Sequence, residues 1–174
     1  MTSKEFLNAV ANGRKDIVQV LLDLLAETGC DYCVIGGLAV NAYTEPVVSL
    51  DLDIVVIAEK VDALCDAAKA KGFTVGAFGH SINMAAKESD LRIQVQKDER
   101  YQPFLSRAKL REVLGYSMRV AEPEDVLQGK VWAYLDEGRR KSKRQKDLAD
   151  IARLAETIPS LKDLLSKDIQ AAIS

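Results

Sequence analysis

A glycine pair, followed by two aspartates at positions i and i+2, constrains the fold of this chain more than any other feature. Val34 and Ile35 end a short apolar strand, Gly36-Gly37 forms a turn, and the apolar spacing from Leu38 onward predicts a helix. A junction of this kind exposes backbone N–H groups, which can bind a phosphate. The segment therefore predicts a phosphate-binding turn between a buried strand and a helix.

Two carboxylates open the next apolar strand. Asp51 and Asp53 flank Leu52, and strand alternation places both carboxylates on one face and Leu52 on the other. Repulsion between two nearby carboxylates raises the pKa of one of them, and a carboxylate at the edge of a core also loses hydration. The pair therefore needs a cation. Mg²⁺ or Mn²⁺ binds carboxylate and phosphate oxygens together, which connects the pair with the glycine turn. A surface turn with solvated acids is the alternative interpretation.

These motifs resemble the nucleotidyltransferase superfamily of the DNA polymerase beta type, in which a G-G or G-S turn opens a helix and D-x-D follows on the next strand. G-G-L-A-V-N-A-Y and S-L-D-L-D-I-V-V are similar to bacterial minimal nucleotidyltransferases and to abortive-infection (AbiEii-like) toxin-type relatives. The segments Glu122–Lys130 and Arg144–Leu154 resemble the later helical motifs. The likeness spans residues 32–154.

The resemblance implies an α+β fold (an α/β two-layer arrangement): the nucleotidyltransferase fold, with a mixed β-sheet flanked by helices and a C-terminal helical segment. Residues 1–121 are expected to form the core with an N-terminal helix. Residues 122–174 are expected to form a helical extension that packs on this core, giving one compact unit. With 48% apolar residues and no Pro-, Gly- or Ser-rich linker, the composition agrees with a single unit.

The implied activity is transfer of a nucleoside monophosphate from a nucleoside triphosphate to an acceptor hydroxyl or phosphate, with pyrophosphate leaving. Asp51 and Asp53 would be the catalytic residues and the ligands of Mg²⁺ or Mn²⁺. The glycines would admit the triphosphate close to the backbone, a hydroxyl would bind a phosphate oxygen, and a lysine would neutralise the pyrophosphate. These candidate nucleotide-binding residues are Gly36, Gly37, Ser49 and Lys130. A tRNA, a protein and a small molecule all remain open as acceptor.

Gln94 departs from the family pattern. It aligns with the place where similar enzymes carry a third carboxylate on a neighbouring strand. Its carbonyl oxygen makes it a further candidate metal ligand, but the lost charge should weaken a second metal and remove a general base. The alternative function is therefore a catalytically weakened member that binds a nucleotide or a partner, within a toxin–antitoxin system. A third alternative is an interaction protein that uses the fold without a ligand.

Charge and cysteine content exclude several other classes. The net charge of -2 gives no global attraction to nucleic acid, so an RNA acceptor would need a local basic patch. Six of the nine residues 138–146 are basic, which fits a solvated loop, a triphosphate site or an RNA contact. Cys30 and Cys33 lack a second ligand pair for zinc, which favours free thiols. With no signal segment and no run of transmembrane length, we expect a cytoplasmic protein without membrane contact, paired with an antitoxin or with itself.

Periodicity predicts the remaining elements. One N-terminal helix is expected to start at a capping box, Thr2-x-x-Glu5, and to end at Gly29. Its apolar stripe comprises Phe6, Val10, Ile17, Val20, Leu21, Leu24 and Leu25. Strands are predicted at 32–36, 51–57, 73–78, 82–86 and 90–96, and helices at 37–43, 60–71, 101–108 and 123–136. A hairpin around Gly115 is predicted at 113–120.

Overall fold

The computed structural model describes residues 1–174 and contains seven strands and eight α-helices. The strands are β1 Tyr32–Ile35, β2 Asp51–Val56, β3 Thr74–Phe78, β4 Ser81–Ala85, β5 Arg92–Gln96, β6 Lys109–Val113 and β7 Tyr116–Val120. The helices are α1 Ser3–Val10, α2 Ile17–Glu27, α3 Gly36–Val40, α4 Val61–Ala70, α5 Phe104–Arg107, α6 Pro123–Leu135, α7 Lys141–Thr157 and α8 Lys167–Ala172. Short 3₁₀ turns cover Ala58–Lys60, Glu99–Tyr101 and Pro159–Leu164.

All seven strands form one mixed sheet in the order β3-β4-β5-β2-β1-β7-β6. The β2–β5 and β1–β7 pairs are parallel, while β1–β2, β3–β4, β4–β5 and β6–β7 are antiparallel. Helices flank this sheet, and α6 and α7 pack on each other and on α3. The predicted α+β class with a mixed sheet and flanking helices is confirmed.

The central strands divide their side chains between an apolar and a polar face. Leu52, Ile54 and Val56 of β2 are at most 1% exposed and join Ile93 and Val95 of β5 in one apolar core. This core extends into α2 and α4, whose buried side chains include Leu21, Leu25 and Leu64. The alternate positions carry Asp51 and Asp53 on β2 and Arg92, Gln94 and Gln96 on β5, and these polar side chains face away from this core because of the pleat. Val55, on the same face as the two aspartates, is buried.

The predicted single N-terminal helix is wrong, because the chain breaks between α1 and α2. Asn12 adopts a left-handed conformation (φ 49°), and its side chain donates a hydrogen bond to Asp90 Oδ2 at 2.7 Å. Asp16 then caps α2 by accepting from the Gln19 N–H. The break rotates the two helices separately, so Phe6 is 47% exposed although it shares the period of the buried α2 residues. The capping box at Thr2 and Glu5 is present as predicted.

Other elements differ mainly at their ends. The predicted helix 37–43 begins one residue earlier and ends at Val40, and the predicted helix 101–108 is a 3₁₀ turn followed by the short α5. The hairpin around Gly115 is confirmed, with φ of 83° at Gly115 and 49° at Leu114. Its first strand starts earlier than predicted, at Lys109. None of the helices combines the length and apolar character that a membrane crossing requires.

Candidate functional site

The pairing of β2 with β5 assembles the polar face at the centre of the sheet. Asp53 lies in register with Gln94 on one side and with Ile35 on the other, and Asp51 lies beside Arg92. Because the two strands are parallel and in this register, both acids share a face with Arg92 and Gln94. The structure thus places Gln94 directly next to Asp53, where the resemblance leads one to expect a third acid.

Gly36 makes room for the Asp53 carboxylate. Its φ is 70°, and a Cβ atom at this position would collide with Asp53 Oδ2. Only glycine combines this left-handed conformation with such a close approach. Gly37 differs, since the nearest neighbour of a Cβ there would be Ser49 Oγ at 3.8 Å. The two glycines therefore have separate roles: Gly36 accommodates the acid, and Gly37 lines the adjoining cleft.

The Asp53 carboxylate is poorly satisfied by the protein. Its Oδ1 is buried and has no hydrogen-bond partner. Burial raises the pKa of Asp53 to about 6; attraction from Lys130 opposes this rise, and repulsion from Asp51 adds to it. An unpartnered, buried carboxylate oxygen is costly unless a cation compensates it. This oxygen, with Asp51 nearby, is a donor set that fits a hard divalent cation such as Mg²⁺ or Mn²⁺.

Asp51 stands at the more open end of the pair. Its Oδ1 accepts a hydrogen bond from Arg92 Nε at 2.8 Å, and its Oδ2 lies 4.0 Å from Lys143 Nζ. Ser49 is buried, and its hydroxyl contacts the backbone N and O of Asp51, each at 3.3 Å. Ser49 therefore fixes the backbone at the start of β2, close to the first carboxylate.

A polar cleft of about 340 Å³ opens in front of the two aspartates, and no hydrophobic residue lines it. Its cations come from β5, from α6, and from the basic run that spans the α6–α7 loop and the first turns of α7: Arg92, Lys130, Arg139, Arg140, Lys143 and Lys146. Gly37 and Ser49 line the same cleft. Four residues of the basic run 138–146 thus face the acid pair, which favours the triphosphate interpretation of this run over the solvated-loop interpretation. We call this space the outer cleft.

A smaller inner pocket of about 100 Å³ adjoins the outer cleft and is also lined by Asp53. Its wall carries uncharged polar side chains from the sheet, together with an aromatic ring: Ser81, Gln94, Gln96 and Tyr101. Tyr101 packs closely on α6, since a Cβ at Gly129 would lie 3.1 Å from its ring. The inner pocket and the outer cleft share Asp53, Lys130, Arg139 and Asp147, so they meet at the acid pair.

Lys130 is held between two buried carboxylates on α7. Its Nζ lies 3.1 Å from Asp147 Oδ1 and 2.9 Å from Asp150 Oδ2. Burial alone would lower the pKa of Lys130, but attraction and hydrogen bonds from Asp150 and Asp147 outweigh it and raise that pKa. The ammonium therefore stays charged at the junction of the two spaces, with two fixed partners.

The sequence analysis did not identify the pairing of Lys130 with Asp147 and Asp150, which we call the clamp, or the contact of Arg139 with Asp147. Charge spacing along the chain favours local pairs between Asp147 and the basic run at i,i+3 or i,i+4. Asp147 instead binds Lys130 from α6 and Arg139, whose Nε lies 2.7 Å from Asp147 Oδ2. Asp150 does form one local pair, with Arg153 at i,i+3. The available signal was the D-x-x-D spacing, which places both acids on one face of α7 toward a single cation.

Known structures share this architecture. The solution structure of the antibiotic-resistance factor ANT(2'')-Ia is similar, with a TM-score of 0.62 and 14% identity over 89% of this chain and 88% of that chain. The crystal structure of the same factor in complex with adenylyl-2''-tobramycin has a TM-score of 0.59 and 14% identity over 90% of this chain and 94% of that chain. The crystal structure of the lincosamide antibiotic adenylyltransferase LnuA with bound lincomycin has a TM-score of 0.57 and 11% identity over 82% of this chain and 98% of that chain.

Sequence comparison adds no closer relative. No protein-family model matches the chain, and no curated protein matches it. The identities to the solved structures are too low to carry more than a shared architecture, and none of these structures supports the abortive-infection subtype. The chain therefore has the α+β nucleotidyltransferase fold that the sequence resemblance implies.

Proposed function

We propose that the chain binds a nucleoside triphosphate and transfers its nucleoside monophosphate to an acceptor, with Mg²⁺ or Mn²⁺ as cofactor. One observation carries this proposal: the buried, unpartnered Oδ1 of Asp53 lies beside Asp51 at the edge of a cleft with six basic side chains. An anion-binding cleft next to a site that needs a cation is the arrangement that a metal–triphosphate complex requires.

Asp51 and Asp53 would hold the metal ion, with the Gln94 carbonyl oxygen as a further ligand. When bound, the ion supplies charge neutralisation and holds the reacting oxygens in place. The chain's own cations bind and orient the phosphates: Arg140, Lys143 and Lys146 line the outer cleft, and Lys130 stands where it meets the inner pocket. Gly37 keeps that side of the cleft free of a side chain.

The comparison with antibiotic adenylyltransferases supports nucleotidyl transfer as the reaction class. LnuA is named as an adenylyltransferase, and ANT(2'')-Ia is known in complex with an adenylylated antibiotic. For this chain the acceptor class stays open at this stage among a tRNA, a protein and a small molecule. A toxin role, with an antitoxin or a second copy as partner, rests on the sequence resemblance alone.

A second candidate is a weakened member that binds nucleotide with slow turnover. The register that places Gln94 beside Asp53 favours it, because an amide supplies neither the charge of a third carboxylate nor a general base. Gln94→Asp separates the two candidates. A large gain in turnover supports the weakened form, and an unchanged rate supports a reaction that does not use an acid at this position.

Calorimetric titration tests the proposal directly. ATP, GTP, CTP and UTP are titrated with and without Mg²⁺ into the wild type, into Asp51→Asn/Asp53→Asn, and into Asp66→Asn, whose carboxylate is exposed on α4. We expect metal-dependent binding in the wild type and in the control variant, weakened at least about 100-fold in the double variant. Absence of binding for all four nucleotides, with or without metal, would contradict the proposal and support an interaction protein.

A further inference from the structure

The two spaces that meet at Asp53 suit the two ends of one displacement reaction. In-line attack at phosphorus places the attacking and leaving oxygens on opposite sides of the reacting phosphate. The basic outer cleft binds the leaving pyrophosphate in the proposed function, on which this inference rests. The acceptor must then approach the reacting phosphate away from the pyrophosphate, and the inner pocket is the second space that borders Asp53.

The inner pocket offers hydrogen-bond donors and no free proton acceptor. The side-chain amide of Gln94 and the hydroxyl of Tyr101 form no hydrogen bond with the protein. The side chain of Gln96 uses only its Oε1, which accepts from the Asp98 N–H. Two carboxylates line the pocket. Asp53 belongs to the proposed metal site, and both oxygens of Asp147 are bound by Lys130 and Arg139. A hydroxyl acceptor would therefore find no carboxylate free to take its proton.

We propose that the acceptor is a small phosphate monoester. At neutral pH such a group is already deprotonated, since its second pKa is about 6, so it needs no general base. One of its oxygens forms a bond to the α-phosphorus of the triphosphate, and the bond from that phosphorus to the bridging oxygen breaks. Pyrophosphate leaves with the electron pair, a new phosphoanhydride is formed, and no proton has to be moved.

The charge of the pocket fits this acceptor. The lining carries two cations, Lys130 and Arg139, and two carboxylates, Asp53 and Asp147, so its charge is balanced without the divalent ion and positive with it. The Gln94 N–H₂ group can donate to a phosphate oxygen. A carboxylate at position 94 would repel an anionic acceptor, whereas the amide does not. An acceptor with several protonated amines would meet these two cations and no free carboxylate. The volume, about 100 Å³ against about 340 Å³ for the outer cleft, favours a small ester.

The experiment measures acceptor binding to protein whose outer cleft is already filled. The protein is saturated with Mg²⁺ and a non-hydrolysable triphosphate, and binding of that analogue is confirmed first by calorimetry. Glucose 1-phosphate, glucose and glucosamine are then titrated as a matched anionic, neutral and cationic set. We expect glucose 1-phosphate to bind at least about tenfold more tightly than the other two. A 5′-phosphorylated RNA oligonucleotide forms a fourth arm, in which we expect weaker binding.

Two variants test the role of position 94. Gln94→Asp is expected to weaken glucose 1-phosphate binding at least about tenfold, because it places a like charge beside the phosphate. Gln94→Leu removes the hydrogen bond without adding charge, and a loss of only about threefold is expected. Because Gln94 is also a candidate metal ligand, analogue affinity is measured separately for each variant, and ester binding is compared at saturating analogue. For the wild type, release of pyrophosphate with the true triphosphate should depend on glucose 1-phosphate.

The outcomes separate this inference from the function on which it rests. If the triphosphate analogue does not bind, the proposed function itself fails. If the analogue binds but glucose or glucosamine binds as tightly as the ester, or no member of the set binds, the acceptor assignment is overturned. Equal losses in Gln94→Asp and Gln94→Leu would also overturn it, and tighter binding of the oligonucleotide would exclude a small ester.

Discussion

The two faces of β2 and β5 differ completely although the same two strands build them. On one face, Leu52, Ile54 and Ile93 are at most 1% exposed and surrounded by the core. On the other face, Asp53 and Gln94 are directly paired across the two strands. Both are half-buried, and they line a pocket instead of packing against other side chains. The side chains of the apolar face are packed in the core, whereas on the polar face the Asp53 Oδ1 has no hydrogen-bond partner.

This difference shows how the core determines the site. The side-chain period of a strand is two, so a slip of one residue in the β2–β5 pairing would move every apolar side chain out of the core. The buried face therefore enforces the register that places Asp53 beside Gln94. The polar face contributes little to holding that register and is free to carry an arrangement that is unfavourable for stability but suited to binding. Substitutions on the two faces should consequently act on different properties.

The largest effect is expected on the apolar face. Ile54→Ala removes a side chain that is 1% exposed and leaves a cavity, so the free energy of unfolding should fall by about 3 kcal/mol. Urea unfolding followed by circular dichroism measures this change. Ile54→Val, the matched control, should cost about 1 kcal/mol. If folded Ile54→Ala binds the metal–triphosphate complex more than about tenfold more weakly than the wild type, the claim that the apolar face acts on stability alone is contradicted.

The next largest effect is expected at Gly36, which packs against Asp53 on the polar face. Gly36→Ala forces a left-handed residue to carry a Cβ that collides with the Asp53 carboxylate, and we expect a loss of about 2 kcal/mol in stability. Metal-dependent triphosphate affinity should fall at least about tenfold, because the carboxylate must move. Thermal unfolding and calorimetry measure the two effects.

Gly37→Ala is the control for that substitution. A Cβ at Gly37 has no neighbour closer than 3.8 Å, so stability should change by less than about 0.5 kcal/mol. Its triphosphate affinity should still fall if the phosphates approach the backbone at this glycine. Equal losses of stability in Gly36→Ala and Gly37→Ala would show that the glycines have no separate roles.

The sequence predicts those parts of the fold in which local pattern and burial agree. The alternation in β2 and β5 identifies both faces because each apolar residue there meets a continuous core. The resemblance aligns Gln94 with the place of a third acid, and the β2–β5 register places Gln94 beside Asp53. These features depend on residues close in sequence, or on strands whose register the core enforces.

The remaining features depend on contacts between distant segments, which a local pattern does not encode. The apolar stripe that continues from Phe6 to Leu25 does not reveal the break, which is fixed by the Asn12–Asp90 hydrogen bond. Likewise, the clamp around Lys130 joins α6 to α7, and Arg139 reaches Asp147 from the loop between them. Charge spacing along one helix favours local pairs, but tertiary contacts decide which cation each acid meets.

The third prediction concerns the pKa of Asp53, which is raised to about 6. The folded protein holds the proton more tightly than the unfolded chain, so stability is lost as the pH rises from about 4 to about 6 and stays lower above that range. Asp53→Asn removes this penalty. At about pH 8 the variant should be more stable than the wild type by about 1–2 kcal/mol, and the gap should close below about pH 4.

Mg²⁺ provides the check on that interpretation. The ion binds the ionised carboxylate, so adding it at about pH 8 should stabilise the wild type and narrow the gap to Asp53→Asn. Urea unfolding at several pH values, with Mg²⁺ and with a chelator, measures both effects. A gap that does not depend on pH would show that Asp53 does not titrate in this range, and a gap of opposite sign would show that the carboxylate stabilises the fold.

A small effect on stability is expected at the open end of the polar face. Arg92 pairs with Asp51 at 2.8 Å, but its side chain is 64% exposed, and exposed ion pairs contribute about 0–1 kcal/mol. Arg92→Gln should therefore change the free energy of unfolding by less than about 1 kcal/mol. Its triphosphate affinity should fall severalfold at about 50 mM salt and much less at about 300 mM, because salt screens exposed charges.

Lys60→Gln replaces an exposed lysine outside the cleft and is the control, which should leave triphosphate affinity unchanged at both salt concentrations. If Arg92→Gln lowers affinity equally at both, Arg92 acts by positioning Asp51 through their hydrogen bond; a large loss of stability would instead show that the polar face also holds the sheet together.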